Sequence, residues 1–457
     1  MTVFRSLTVA AAIVIAAPVQ AETLGDALVA AYRNSNDLKT ARAELRSVDE
    51  NVAQARAAKR PQVSAQGRAA LAASDNAPVH LTDSYSVSLN ASLNLFDSGR
   101  TEAAIEAAKE LVLSQRASLV QVEQSVLLGA AQAYFEVLRA QSLVALAENS
   151  RGVLSQQLQA AQDRFSVGEI TRSDVSLAQA SLAEAESNVA AQGGTLQTAI
   201  NAYILATGTR PGDLAAAPPT PEMPASLEAA QQIAMQRHPS IVAARYAERS
   251  SQWDLRRAER GGRPSVDVNA SVGYEDSESA ATGERSSDQV GSVSVTGTVP
   301  LYQGGQIDSL RRQAQAALDA RRSELQSAAQ TVRQNVADSW SQLTVSRAAI
   351  AANSQQVTAA QEAFDSVSEE AALGARTTLD VLDSQQDLLD AQTSLANSRR
   401  NQEIAHYALL TAMGLMTADH LGLRVERYDP NINYGRVQNA PLSTFDGTIV
   451  EKLRDRF

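Results

Sequence analysis

The chain has 457 residues, no cysteine and a formal net charge of -11 at pH 7, which excludes a disulfide framework and thiol chemistry and argues against nucleic acid as a partner. Aromatic residues make up only 4% of the chain while alanine, glutamine and serine dominate, so long helices packed through small side chains are favoured over a thick globular core. No apolar run after residue 21 reaches the length of about 18 residues that a membrane-crossing helix needs, so any membrane role must use strands.

Residues 1–21 carry the marks of an export signal. Arg5 supplies a positive start, Val9 to Ala17 is a short apolar run, and Val19-Gln20-Ala21 has the small-residue pattern of a cleavage site. Arg5 is the only charge there, so its removal takes the formal charge from -11 to -12. Residues 24–59 read as helix, with a bend or break at Asn34-Ser35-Asn36. Pro61 ends that helix, and the period drops to two. Val63, Ala65, Gly67, Ala69 and Leu71 form one alternating set, and Val87, Leu89, Ala91, Leu93 and Leu95 a stronger one. They predict strands at about 61–72 and 85–96, near the length of about 9–11 residues that crosses a bilayer as tilted β-structure. The tip between them is polar. Residues 100–165 contain no proline, and Leu119, Val126, Ala133, Val137, Ala140, Ala147, Leu154, Ala161 and Phe165 lie on a heptad seam. Such a seam marks helices packed side by side, here roughly 100 Å long at 1.5 Å per residue. A turn at Val167–Arg172 sends a second helix back to about Thr207. This closes a first unit over 22–208, and a proline-rich connector follows over 209–226.

The second half then repeats the first. Shifted by 203 positions, Arg42, Arg60 and Pro61 fall on Arg245, Arg263 and Pro264; shifted by 206, Gly99, Gly168, Asp174 and Gly208 fall on Gly305, Gly374, Asp380 and Gly414. A period of about 200 residues marks a duplicated module and not a solenoid. The second unit is expected over 227–416, with a break at Arg237-His238-Pro239 and strands at about 264–275 and 289–302. In a tail over 417–457 the pattern fades into turns and loops. Each unit thus holds long coiled-coil helices and a two-strand hairpin, a mixed α and β membrane protein. Four strands cannot close a barrel, and an open sheet edge in lipid leaves N–H and C=O groups unpaired. The chain is therefore expected to oligomerise through its strands. The eight strands of a dimer would be filled by side chains, whereas the twelve of a trimer leave a lumen.

Five segments stand out: LGDALVAAYRNSNDL from Leu24, LFDSGR at Leu95 to Arg100, LYQGGQ at Leu301 to Gln306, VGEITRSDV at Val167 to Val175, and LGARTTLDVLD at Leu373 to Asp383. On these motifs the chain resembles, along nearly its whole mature length, the TolC-type outer-membrane export channels. Tyr428-Asp429-Pro430 with Tyr434 and Val437 looks like the branch serving type I protein secretion, as does the missing lipid-anchor cysteine. The resemblance implies a homotrimer in the outer membrane of a Gram-negative bacterium: a 12-stranded β-barrel among lipid, continued through the periplasm as a tunnel of α-helices. It implies an inner end closed by helix turns until a periplasmic adaptor (membrane fusion) protein and an inner-membrane transporter dock. It also implies a gate built from Asp174 with Ser173 beside it, Arg376 tying neighbouring coils, and an acidic ring of Asp380 and Asp383. Ala371 stands where the family has a gate tyrosine. Gly168 and Gly374 sit in the turns around which adaptor tips would dock.

The residues themselves allow two readings of those aspartates. Asp380 and Asp383, three apart, share a helix face, and in a trimer their carboxylates would favour cations and raise one another's pKa. Alternatively, Asp174 and Asp380 simply cap helices after a loop.

Other classes fit less well. The chain has no phosphate loop, GxSxG or HExxH motif, and no cysteine nucleophile, so an enzyme is not expected. His80, His238, His406 and His420 lack metal-ligand spacing, and no cofactor or metal is implied. A soluble periplasmic coiled-coil adaptor would explain the heptads but not the paired strands. Within the family, multidrug efflux is the alternative to protein secretion.

Overall fold

The computed structural model describes residues 21–74, 80–216, 223–278 and 284–438. The expected export signal before Ala21, part of the connector, the outermost residues of both hairpin tips and the tail beyond Gln438 lie outside them.

Helices α1 (Leu24–Asn34) and α2 (Asn36–Ala57) break at Ser35, whose hydroxyl accepts from the Leu38 N–H and starts α2. Strands β1 (Gln62–Ser74) and β2 (His80–Phe96) follow, then α3 (Arg100–Ser166) and α4 (Arg172–Thr207). The order then recurs as α5 (Leu227–Arg237), α6 (Pro239–Glu259), β3 (Ser265–Glu278), β4 (Arg285–Thr298), α7 (Gln306–Ala372) and α8 (Thr378–Ala412). The break between α5 and α6 falls at His238, which Pro239 holds extended at φ -61°, ψ 126°. Both breaks occur where the sequence predicts them.

The tail departs from the loops expected of it. A short helix, α9 (Pro430–Val437), forms because the Asp429 carboxylate accepts from the Asn431 N–H and Pro430 takes the first helical position. The Asp429-Pro430 pair is the start of this helix.

The described residues form two compact units, one from 21–34, 129–216 and 348–404, the other from 35–74, 80–128, 223–278, 284–347 and 405–438. In the first unit, α1 buries Leu24, Ala27, Leu28 and Ala31, and α4 buries Ala199 and Tyr203. Glu22 is tied there to the connector: its backbone bridges to Leu214, and its carboxylate accepts from the Tyr203 hydroxyl at 2.5 Å and the Gly212 N–H at 2.9 Å. The Tyr134 hydroxyl donates to the Ala215 carbonyl at 2.6 Å, and burial beside Glu22 pushes its pKa up to about 12. In the second unit, α9 lies on α2. The Asn433 amide donates to buried Asp49 at 2.7 Å, and Arg116 stacks over Tyr434 at 5.1 Å.

The second unit also holds a single antiparallel sheet in the order β1-β2-β3-β4, in which the two hairpins join through β2 and β3. Its strands are 13, 17, 14 and 14 residues long. Strand β4 ends at Thr298, four residues before the expected boundary at 302. Thr298 pairs with Ser265, the first residue of β3, so Val299 to Tyr302 have no strand beside them.

Candidate functional site

Two features carry functional chemistry: the turns that end α3 and α7, and the sheet. The turns are built alike. At the end of α3 the Gly168 N–H donates to Phe165 and the Glu169 N–H to Arg164, both at 3.0 Å. At the end of α7 the Gly374 N–H donates to Ala371 at 3.1 Å and the Ala375 N–H to Glu370 at 2.9 Å. These are Schellman closures, which require a left-handed residue after the helix. Gly168 and Gly374 supply it at φ 81° and 80°, and nothing lies within 4 Å of the place a Cβ would take on either.

Each returning helix then starts with a reciprocal cap. The Asp174 carboxylate accepts from the Thr171 N–H at 2.9 Å and the Thr171 hydroxyl accepts from the Asp174 N–H at 3.4 Å. Thr377 and Asp380 exchange the same bonds at 2.9 and 3.2 Å. Asp174 and Asp380 are therefore helix caps within the chain. Their carboxyls are held below the usual range, Asp174 first by the Thr171 hydroxyl and Asp380 first by the Thr377 backbone. Local hydrogen bonds set this direction within one chain, whereas the rise expected from mutual repulsion concerns Asp380 and Asp383 gathered around a trimer's mouth. Thr171 and Thr377 were missed as site residues, although the Thr-x-x-Asp spacing common to both turns is a capping-box signal.

The remaining predicted residues lie around these caps. Ser173 is exposed on the first turn of α4 and Asp383 on the second turn of α8. Arg376 donates from Nε to Glu370 at 2.8 Å, and not to Asp174, so its charge first steadies its own turn. Ala371 is buried, and its carbonyl accepts from Arg164 Nη1 at 3.2 Å, which links the ends of α7 and α3. Above the turns, Leu154, Ala185, Leu382 and Leu182 cluster, so α3, α4 and α8 pack together there. Among the described residues no group of histidines and carboxylates is placed to hold a metal ion.

The sheet has one apolar and one polar face. Rows such as Val63–Ala91–Ala270–Val293 and Ala65–Leu89–Val272 alternate with rows such as Ser64–Asn90–Ser271–Ser292. On the apolar face Val63, Leu89, Val272 and Val293 are all exposed. Both sheet edges, β1 and β4, are open in the single chain.

A comparable asymmetry marks the long helices. Along α3 much of the expected seam is buried, including Ala133, Val137, Ala140, Ala147, Leu154 and Ala161. Its counterpart α7 buries far less, chiefly Leu318, Val332, Val336 and Leu343, and leaves Val345 open. Two equivalent helices thus meet unequal surroundings in one chain.

The profile of the outer membrane efflux protein family matches residues 27–209 and again 230–415. The chain belongs to that family. Outer membrane efflux protein BepC of Brucella suis is 36% identical over 428 residues, covering 93% of either chain. Outer membrane protein TolC of Escherichia coli is 28% identical over 358 residues, covering 74% of this chain and 71% of TolC. Alkaline protease secretion protein AprF of Pseudomonas aeruginosa is 25% identical over 387 residues, covering 81% and 80%. Among solved structures, VceC of Vibrio cholerae matches with a TM-score of 0.71 at 22% identity, over 86% of this chain and 96% of VceC. The open state of the Neisseria gonorrhoeae MtrE channel gives 0.73 at 22% identity, over 87% and 90%. These structural matches show the TolC-like channel fold. This family member is accordingly an efflux channel of the Gram-negative outer membrane, with a large helical part in the periplasm.

Proposed function

We propose that three copies of this chain assemble into one conduit, a 12-stranded barrel in the outer membrane continued by a periplasmic barrel of helices. The reading rests above all on a four-stranded sheet with two open edges and an uncovered apolar face. In lipid, open edges leave several kcal/mol of unsatisfied hydrogen bonding per exposed group, and closure into a ring removes them. The open surface of α7 supports the same assembly, since a neighbouring copy would cover it as α3 is covered within the chain. The parallel build of residues 22–208 and 227–416 then acts as a tandem repeat, giving the helical part near-sixfold character.

In this reading the Gly168 and Gly374 turns form the inner entrance, where a periplasmic adaptor and an inner-membrane transporter dock. Asp380 and Asp383 ring that entrance with negative charge, and Asp174, Ser173 and Arg376 contribute to its closed state. The cargo class follows the docked transporter. The likeness to AprF, a protease secretion protein, favours type I protein secretion, and the likeness to BepC, an efflux protein and the more similar of the two, favours efflux. The test is the native mass of protein extracted with detergent from outer membranes. Three mature chains are expected; a single chain, or recovery from the periplasm without detergent, defeats the assembly.

A further inference from the structure

The open edges carry enough information to state how neighbouring copies join. Two offsets relate the halves of the sheet, and both can be checked within one chain. Gln62 on β1 faces Ser92 on β2. Moving the first by 203 and the second by 206 gives Ser265 and Thr298, which face each other on β3 and β4. The β1–β2 hairpin therefore predicts the register of the β3–β4 hairpin without a slip. The change from 203 to 206 falls between β3 and β4, in the tip, and leaves the pairing intact.

The β2–β3 junction has no second example within the chain. Its counterpart is β4 against β1 of the next copy. Leu89 faces Val272; 206 beyond Leu89 is Val295, and 203 before Val272 is Ala69. We infer that a second copy of this chain adds its β1 antiparallel to β4 with Val295 opposite Ala69, a register that rests on the trimeric-barrel reading. The same offsets set Val293 opposite Leu71, Thr296 opposite Arg68, Gly297 opposite Gly67 and Val299 opposite Ala65.

Three observations agree with this seam. First, the apolar residues of β4 meet the apolar set of β1, so the exposed band continues across the joint on one face. A slip of one residue would turn that face inside out. Second, the seam supplies a partner for the residues beyond Thr298. Val299, Leu301 and Tyr302 are 54, 93 and 88% exposed in the single chain. Beside a neighbour's β1, strand β4 extends towards Tyr302, the counterpart of Phe96 at the end of β2. Third, Pro300 is tolerated there. It corresponds to Asn94, where the β2–β3 register shifts at a bulge between Asn94 and Phe96, and bulges are where strands accept proline.

The absence of native cysteine makes a disulfide test clean. Two double variants, Val295→Cys with Ala69→Cys and Thr296→Cys with Arg68→Cys, are oxidised in outer membranes and run without reductant. Consecutive antiparallel pairs alternate between wide and close spacing, so one of the two has the close geometry a disulfide needs. Because they are separate proteins, misassembly of one leaves the other to decide. The expected result is covalent oligomer from at least one, and none from Val295→Cys with Leu71→Cys or with Gly67→Cys. Covalent oligomer from a displaced pair alone, or from none while detergent extracts still weigh as trimers, overturns the register. A single-chain mass for the unmodified protein overturns the barrel reading itself.

Discussion

Replacing Gly414 with alanine should damage the protein far more than the same change at Gly374. Both glycines close a helix by the Schellman pattern and both are left-handed, at φ 78° and 80°. An alanine held in that conformation costs about 1–2 kcal/mol, and at Gly374, where nothing stands within 4 Å, the loss ends there. At Gly414 the new Cβ would lie 2.8 Å from the Cα of His238 and 3.1 Å from the ring of Pro239. Those are backbone and ring atoms at the break between α5 and α6, and Pro239 fixes their conformation, so they cannot swing aside. Overpacking of this kind adds about 1–3 kcal/mol, for a total of about 2–5 kcal/mol. Urea unfolding of the detergent-extracted protein, followed by helical circular dichroism, should rank wild type above Gly374→Ala and Gly374→Ala well above Gly414→Ala. Equal midpoints for the two variants would show that the approach of His238 is not rigid, and the packing argument would fail.

The turns give three further predictions. Asp383→Ala should weaken cation preference in planar-bilayer conductance while leaving the Thr377–Asp380 cap intact; unchanged selectivity in Asp383→Ala and in a variant also carrying Asp380→Ala would remove the acidic-ring assignment. Arg376→Ala frees Glu370 and loosens the second turn, so resting conductance should rise, and a channel as tight as wild type would refute a gate role. Hydrogen bonds from Thr171 and Thr377 hold Asp174 and Asp380 below the ordinary aspartate pKa, so their capping is complete above that ordinary value and is lost as pH falls through the lower folded one. Protection factors for hydrogen exchange at both turns should therefore be constant near neutrality and fall only in acid; loss of protection already at mild pH would contradict the capping.

Much of this architecture is legible in the chain because duplication states every signal twice. The helix breaks at Ser35 and His238, the period-two strands and the glycine closures each occur in matched pairs. What stayed hidden depended on neighbours distant in sequence. Nothing local indicates that β2 would pair with β3, or that β4 would stop at Thr298 for want of a partner. Asp49 shows the same limit from another side: an ordinary aspartate on a helix becomes buried, with its pKa raised first by desolvation, only because α9 folds over it. At the turns the sequence named the aspartates but left open whether they cap or gate. The Thr171 and Thr377 bonds settle the capping role alone.

Helices α3 and α7 each contain 67 residues. That equality makes length itself a constrained quantity. Each residue advances a helix by about 1.5 Å and rotates it by about 100°, so deleting one residue from α7 would shorten its path to the Gly374 turn and swing every later side chain away from its neighbours. An equal deletion in α3 would be needed to restore the match, and even then only near-whole numbers of turns keep the same faces inward. Insertions and deletions here are tolerable as coordinated pairs, so the two helices must change length together, like the legs of a ladder.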